Sequence, residues 1–434
     1  MAGTTGTTEA VSAKHLPLAE AVEAFIKTGF QPHFDELREG FCTNPTWEKM
    51  RDLGTDLWLD TGSLDEAGPL WTQEFSSLTT NNTLLNREVQ KGQYDDVILQ
   101  AAGLFSDYGL SEQQLMLEIA FILNARHALK LVERFDAFVS VEEHTALAHN
   151  VSASVEYARR YYHICPERFI VKIPFTPAGL LATRFLSDEG VPVNHTLGFS
   201  ARQNYVIARL GRPSYVNVFL GRLNSFVAEN KLGDGLYVGE RATLASQAAI
   251  RQLREEFGLP SLQIGASFRA GGQVRDLAGI DVMTMPPKVA QEFLDLQLPA
   301  DQITDHTTET YGVTLQPDVD PAAITIDSLW NINQEIKDCV DALEQENMES
   351  YTPSDLVEFF RDHGCGDFMV DWTPQEIETS YKEGKIPKID NWRQALLSGR
   401  CSLDSLMNLA GLNSFTADQK AMDDRVRSVL TKKA

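Results

Sequence analysis

Between residues 56 and 285 the sequence alternates eight short apolar runs with stretches of helical periodicity, and this rhythm limits the fold more than any other feature. The runs are Asp56–Asp60, Ser77–Asn81, Ala137–Glu142, Phe169–Pro174, Val191–Leu197, Tyr215–Phe219, Gln263–Ser267 and Asp281–Met285. Strands that alternate with helices pair in parallel, because each return crossover is used up by a helix, and eight such units close into a barrel. The predicted fold is therefore α/β, a (β/α)8 TIM barrel, with a helical C-terminal extension. Functional side chains in such a barrel gather at the carboxyl ends of the strands.

Asp60, Asn81, Glu142, Lys172, Asn194, Thr196 and Arg222 all lie in or just after one of these runs. An isolated Asp, Asn or Thr at a strand end also reads as a helix N-cap, so the register of the whole set carries the argument. Lys172 is the most constrained of them, because it interrupts the aliphatic run from Phe169 to Pro174. A lysine buried there is a candidate Schiff-base residue, since low dielectric favours the neutral amine that attacks a carbonyl. The same segment also reads as a lysine paired with a carboxylate or reaching out from an edge strand. His195 and His144 neighbour the set, but strand alternation turns each away from the side chain beside it.

Composition narrows the partners. Sixty-one acidic residues against 38 Lys and Arg give a formal net charge of −23, which excludes nucleic acid and acidic membrane surfaces. An anionic substrate requires its own local arginines. No apolar run is long enough to span a membrane and the first ten residues do not resemble a leader, so a cytoplasmic location is expected. The five cysteines are scattered with no metal-ligand spacing and read as structural thiols. Residues 1–14 read as a disordered lead, 15–364 as the barrel with an N-terminal helix and a closing helix, and 365–434 as a helical extension.

Five segments resemble the transaldolase family of class I Schiff-base enzymes: Leu59-Asp60-Thr61-Gly62, Thr79-Thr80-Asn81, Val139-Ser140-Val141-Glu142, Val171 to Thr176, and Val193 to Ser200. Downstream, Phe219-Leu220-Gly221-Arg222 and Gly265 to Arg269 resemble its phosphate-binding segments. The resemblance implies an imine on Lys172, proton transfers through a water held by Glu142 and Thr196, and Asp60 as the base at the C4 hydroxyl. It implies that Asn81 and Asn194 hold the dihydroxyacetone unit and that Arg222, Arg269 and Ser267 clamp the acceptor phosphate. Phe219 and Glu142, where related fructose-6-phosphate aldolases carry tyrosine and glutamine, favour transfer over release of free dihydroxyacetone. Sugar phosphates are the implied partners, and no metal or organic cofactor is called for.

Two positions depart from the family. Asn217 stands where serine is usual and is expected to donate to phosphate from a larger side chain. Asn82 stands where proline is frequent and is read as a looser turn. Ser328-Leu329-Trp330, followed by Ile336, Val340 and Leu343, resembles the family's closing helix. Beyond residue 365 the resemblance ends, in a segment carrying Trp372, Trp392 and many leucines. That segment has three roles open to it, in order of expectation: covering the outer helices, a homodimer contact, or a lid at the mouth. A release-type aldolase and a non-catalytic barrel used as an interaction module are the competing functional readings.

Overall fold

The computed structural model describes residues 17–34 and 40–432. The expected lead over residues 1–14 lies outside the described residues. Eight parallel strands close into a barrel in sequence order: β1 (Asp56–Asp60), β2 (Phe75–Thr79), β3 (Phe138–Glu142), β4 (Phe169–Pro174), β5 (Val193–Thr196), β6 (Tyr215–Phe219), β7 (Leu262–Ala266) and β8 (Val282–Met285). β8 pairs back onto β1, so no strand has a free edge. The reading of Lys172 as an edge-strand lysine is thereby removed.

Trp58 and Tyr215 fill the lower interior with their rings 4.9 Å apart, and the Trp58 indole N–H donates to Asp56. This packed floor leaves only the upper end of the barrel open to a ligand. Helices on the outside bury their apolar faces against the strands, the longest being Glu112–Phe135, capped by a reciprocal Ser111 and Gln114 box. Among the described residues no helix is long and apolar enough to cross a membrane.

The segment Ser328-Leu329-Trp330 does not begin a long closing helix. Ile326–Leu329 is a single 3-10 turn, and the helix restarts at Gln334 under an Asn333 cap, running to Leu343. The element lying over the barrel mouth comes later in the chain. After residue 365, helices Pro374–Glu383, Ile389–Leu397 and Leu403–Thr431 follow one another. Asn408 in the last of these donates to the carbonyls of Phe175 and Leu197, in the loops after β4 and β5. Gly411 passes so close to the same loop that a Cβ would stand 2.9 Å from Leu197. Arg425 pairs with Asp95 and Arg427 with Glu112 further along. The extension thus crosses the mouth, the role ranked last from sequence, and with its far end also covers the outer helices Asn82–Gln90, Asp95–Leu104 and Glu112–Phe135, the role ranked first.

Candidate active site

Strand register brings the central residues together. Glu142 on β3 pairs with Lys172 on β4, and Lys172 pairs with Asn194 on β5, so the three form one lateral row. Parallel strands in register point matched side chains the same way, and here they point inward. Lys172 is 4% exposed, forms no salt bridge among the described residues, and donates only to the Thr80 carbonyl, at 3.3 Å. It is therefore a buried lysine with no direct ion pair, a placement that is costly unless the site uses it.

Two carboxyl groups face it. Asp60 ends β1 and accepts from Thr79 Oγ1 at 2.9 Å, while Thr79 and Thr284 share a 2.6 Å hydroxyl contact. Burial holds the Asp60 carboxyl above the usual range, with Lys172 and Thr79 pulling the other way. Burial likewise raises Glu142, opposed by Lys172 and by the Asn82 backbone N–H, which donates to its Oε2 at 3.1 Å. A proline at position 82 has no N–H to give. Asn82 is therefore a hydrogen-bond donor to a central carboxylate, which corrects the expectation of a merely looser turn. Sequence reasoning missed this because it weighed side chains, whereas the donor is main chain.

Asn194 donates to Ser140 Oγ at 3.1 Å and accepts from Asn217 Nδ2 at 3.0 Å. Asn217 gives its other amide hydrogen to the His195 carbonyl at 3.1 Å. Both donors are spent inside the barrel wall, so donation to phosphate from Asn217 is not what the structure offers; its unpartnered acceptor Oδ1 is left over instead. Thr196 Oγ1 is also fully buried without a protein partner. Asn81 lines the same cavity, and its Oδ1 caps the helix Asn82–Gln90 through Leu84 N. His195 turns outward, bonded to Thr183 and lowered to about 3 by burial, while His144 reaches Asp423 of the C-terminal helix.

The mouth is a cavity of about 750 Å3 whose lining includes Asp60, Asn81, Lys172, Asn194 and Asn217. At its rim Arg222 occupies the first turn of the helix Leu220–Glu229, with Nη1 unpartnered and the side chain 5% exposed. Burial, then the neighbouring Arg269, lowers Arg222 to about 10. Phe219 lies beneath Arg222 at 5.3 Å. Ser267 adopts a left-handed backbone at φ 65°, and its carbonyl approaches so closely that a Cβ on Gly221 would stand 2.1 Å from it. Strain of this kind persists where surrounding structure holds it, typically at binding sites. All eleven sequence-derived candidates lie at this end of the barrel.

The extension adds residues that the sequence gave no signal for. Phe415 from the helix Leu403–Thr431 sets its ring 5.8 Å from Lys172 Nζ and 5.4 Å from the Arg222 guanidinium. Lys385 of the extension also lines the cavity, as does Arg87 from the barrel helix Asn82–Gln90.

The structure thus combines a closed parallel barrel, an interior lysine facing two carboxyl groups, and arginines at the rim. The chain belongs to the transaldolase/fructose-6-phosphate aldolase family, whose model matches residues 57–355. It is 28% identical over 257 residues to a transaldolase of Thermosynechococcus vestitus, covering 56% of this chain and 64% of that protein. It is 26% identical over 245 residues to a transaldolase of Chlamydia pneumoniae, covering 55% of this chain and 74% of the relative. A transaldolase of Haemophilus influenzae is 28% identical over 251 residues, 56% of this chain and 78% of its own. The match thus spans less than two-thirds of the first of these relatives.

Proposed function

We propose that the chain is a transferase of the transaldolase type, moving a dihydroxyacetone unit from a ketose phosphate to an aldose phosphate through an imine on Lys172. The observation that carries this reading is the row Glu142, Lys172 and Asn194, with Asp60 across from it and an unpaired Arg222 at the rim.

The Lys172 amine attacks the C2 carbonyl, and the carbinolamine loses water to give the protonated imine. A carboxyl that burial keeps partly protonated can deliver the proton that expels this water, and Glu142 is raised in that direction. Thr196, whose hydroxyl is unpartnered, holds the same water. Asp60 takes the proton of the C4 hydroxyl, the C3–C4 bond breaks, and its electron pair enters the imine as an enamine while the aldose phosphate leaves. Asn194, and Asn217 through its free acceptor, hold the hydroxyls of the retained unit. The acceptor aldehyde is attacked by the enamine carbon, Asp60 returns its proton, and water releases the product from Lys172. Arg222, Arg269 and Ser267 bind the phosphate through charge and fork geometry.

The same proposal takes sedoheptulose 7-phosphate or fructose 6-phosphate as donor, the pentose phosphate route and a cytoplasmic setting, with family membership as its support. Phe415 over Lys172 screens the imine from bulk water, which favours transfer over release of free dihydroxyacetone. Incubation with fructose 6-phosphate and erythrose 4-phosphate, with sugar phosphates separated and quantified, tests the reading. Equal amounts of a seven-carbon ketose phosphate and glyceraldehyde 3-phosphate are expected. Free dihydroxyacetone with no seven-carbon product indicates the release-type aldolase instead.

A further inference from the structure

Family membership accounts for two rim cations, yet a third comes from outside the matched region. Lys385 sits in the turn between helices Pro374–Glu383 and Ile389–Leu397. It lines the barrel-mouth cavity and also a second cavity of about 530 Å3, and the two share Arg222, Arg269 and Lys385. No side chain of these three donates a hydrogen bond or forms a salt bridge among the described residues, although the chain as a whole is strongly acidic. Clustered cations repel one another, and the acids within electrostatic reach, Asp418 for Arg222 and Lys385, Glu142 for Arg222, and Asp60 and Glu229 for Arg269, form no ion pair with any of them, so the arrangement points to an anionic ligand.

The turn carrying Lys385 is held rigidly. Asn230, just after the helix Leu220–Glu229, donates to the Pro387 carbonyl at 2.9 Å and accepts from Ile389 N at 2.8 Å. Glu383 accepts from Lys388 N at 3.1 Å and from the Trp392 indole at 2.8 Å. That carboxylate is spent on the turn itself and leaves Lys385 free. Arg269 feels Asp60 of the barrel mouth and then Glu229, on the wall of the second cavity, and pairs with neither. The walls of the cavity, then Arg222, lower the Lys385 ammonium, which places it within electrostatic reach of the clamp.

We propose that Lys385 is the third cation of the phosphate subsite, so that the extension, rather than the barrel, completes the pocket for the phosphoryl end of the aldose. This rests on the sugar-phosphate reading above and makes Lys385 a specificity-determining residue of that site. The second cavity, opening beyond the clamp, gives the phosphate-bearing end of a longer sugar somewhere to extend.

The test is calorimetric titration of the full-length protein with inorganic phosphate, which requires no turnover. Loss of one charge-assisted contact predicts that Lys385→Met weakens phosphate binding by about tenfold. Lys385→Arg restores most of it, and Lys382→Met, an exposed lysine paired with Glu378 outside both cavities, binds as the parent does. In the transfer assay the Lys385→Met loss falls on KM for erythrose 4-phosphate more than on kcat. Phosphate affinity in Lys385→Met within twofold of the parent overturns the inference, as does absence of phosphate binding to the parent. Phosphate binding that depends on Lys385 without any transfer activity leaves the inference standing and removes the proposed reaction.

Discussion

Asp404 fastens the C-terminal helix to the barrel mouth, and its replacement by asparagine tests whether the cover is held as described. The carboxylate is fully buried and accepts from Ser200 Oγ at 2.6 Å, Arg202 Nε and Nη2 at 2.8 Å, Ser402 Oγ at 2.7 Å and Ser405 N at 2.9 Å. Without it, Arg202 keeps Asp367 as its only acidic partner, and that group is 29% exposed. Removing one member of a buried ion pair costs about 3–5 kcal/mol, because the other charge stays buried. At about 1.4 kcal/mol per power of ten, amide exchange along Leu403–Thr431 in Asp404→Asn should accelerate by about two to four powers of ten. Replacing both members by leucine removes the stranded charge and should recover most of the protection.

The pH dependence has a definite sign. Burial alone raises the Asp404 carboxyl, but Arg202 and the surrounding hydroxyls outweigh it and hold the folded value below the ordinary one. Its stabilisation is therefore present above the unfolded pKa of about 3.9 and is lost as pH falls through the lower folded value. Protection of the wild-type helix should accordingly persist down to about pH 4 as far as this group is concerned. Acceleration of less than tenfold in Asp404→Asn would refute the claim that this ion pair holds the cover in place.

Glu142→Gln should lower kcat by about 10²- to 10⁴-fold, the usual contribution of a general acid or base, and should abolish the acid limb of the pH–rate profile attributable to Glu142. Because burial raises both Glu142 and Asp60, the wild-type limb should lie above the normal carboxylate range. Glu143, next in sequence, is raised to about 8 by burial despite the Ser154 hydroxyl, and it lies outside the proposed chemistry. Its stability contribution is present below the unfolded pKa near 4.5 and is lost as pH rises towards 8, so Glu143→Gln should flatten the fall in denaturation midpoint across that window. Gly221→Ala should raise KM for phosphorylated acceptors, because the added methyl meets Ser267 O at 2.1 Å and Arg269 Cγ at 2.7 Å and displaces the clamp.

The barrel was legible because strand and helix periods alternate cleanly: three of the eight predicted starts coincide with the observed ones, at Asp56, Phe169 and Tyr215, and three more, at Ala137, Gln263 and Asp281, fall within one residue. The misplacements have local causes. β2 ends at Thr79, before the expected Asn81, because Asn81 is committed to capping the next helix. β5 stops at Thr196 because Leu197 takes a left-handed backbone at φ 65°. The inward carboxylates, lysine and amides could be read from alternation alone, since in a closed barrel every second residue faces the interior.

The cover could not be read in this way. Leu403 to Phe415 is buried nearly all round, between the barrel loops and the other helices of the extension, so it presents no single apolar face that a periodicity argument could orient. Lys385 and Phe415 enter the site from that segment, across more than 200 residues of sequence from Lys172. The Asn82 contribution is equally invisible, since a backbone N–H is common to every residue except proline.

Borohydride reduction in the presence of fructose 6-phosphate, followed by peptide mass mapping, tests the central claim most directly. A three-carbon adduct on Lys172, absent from Lys172→Met, is the predicted result. A labelled lysine elsewhere, or no adduct with any ketose phosphate, would contradict it.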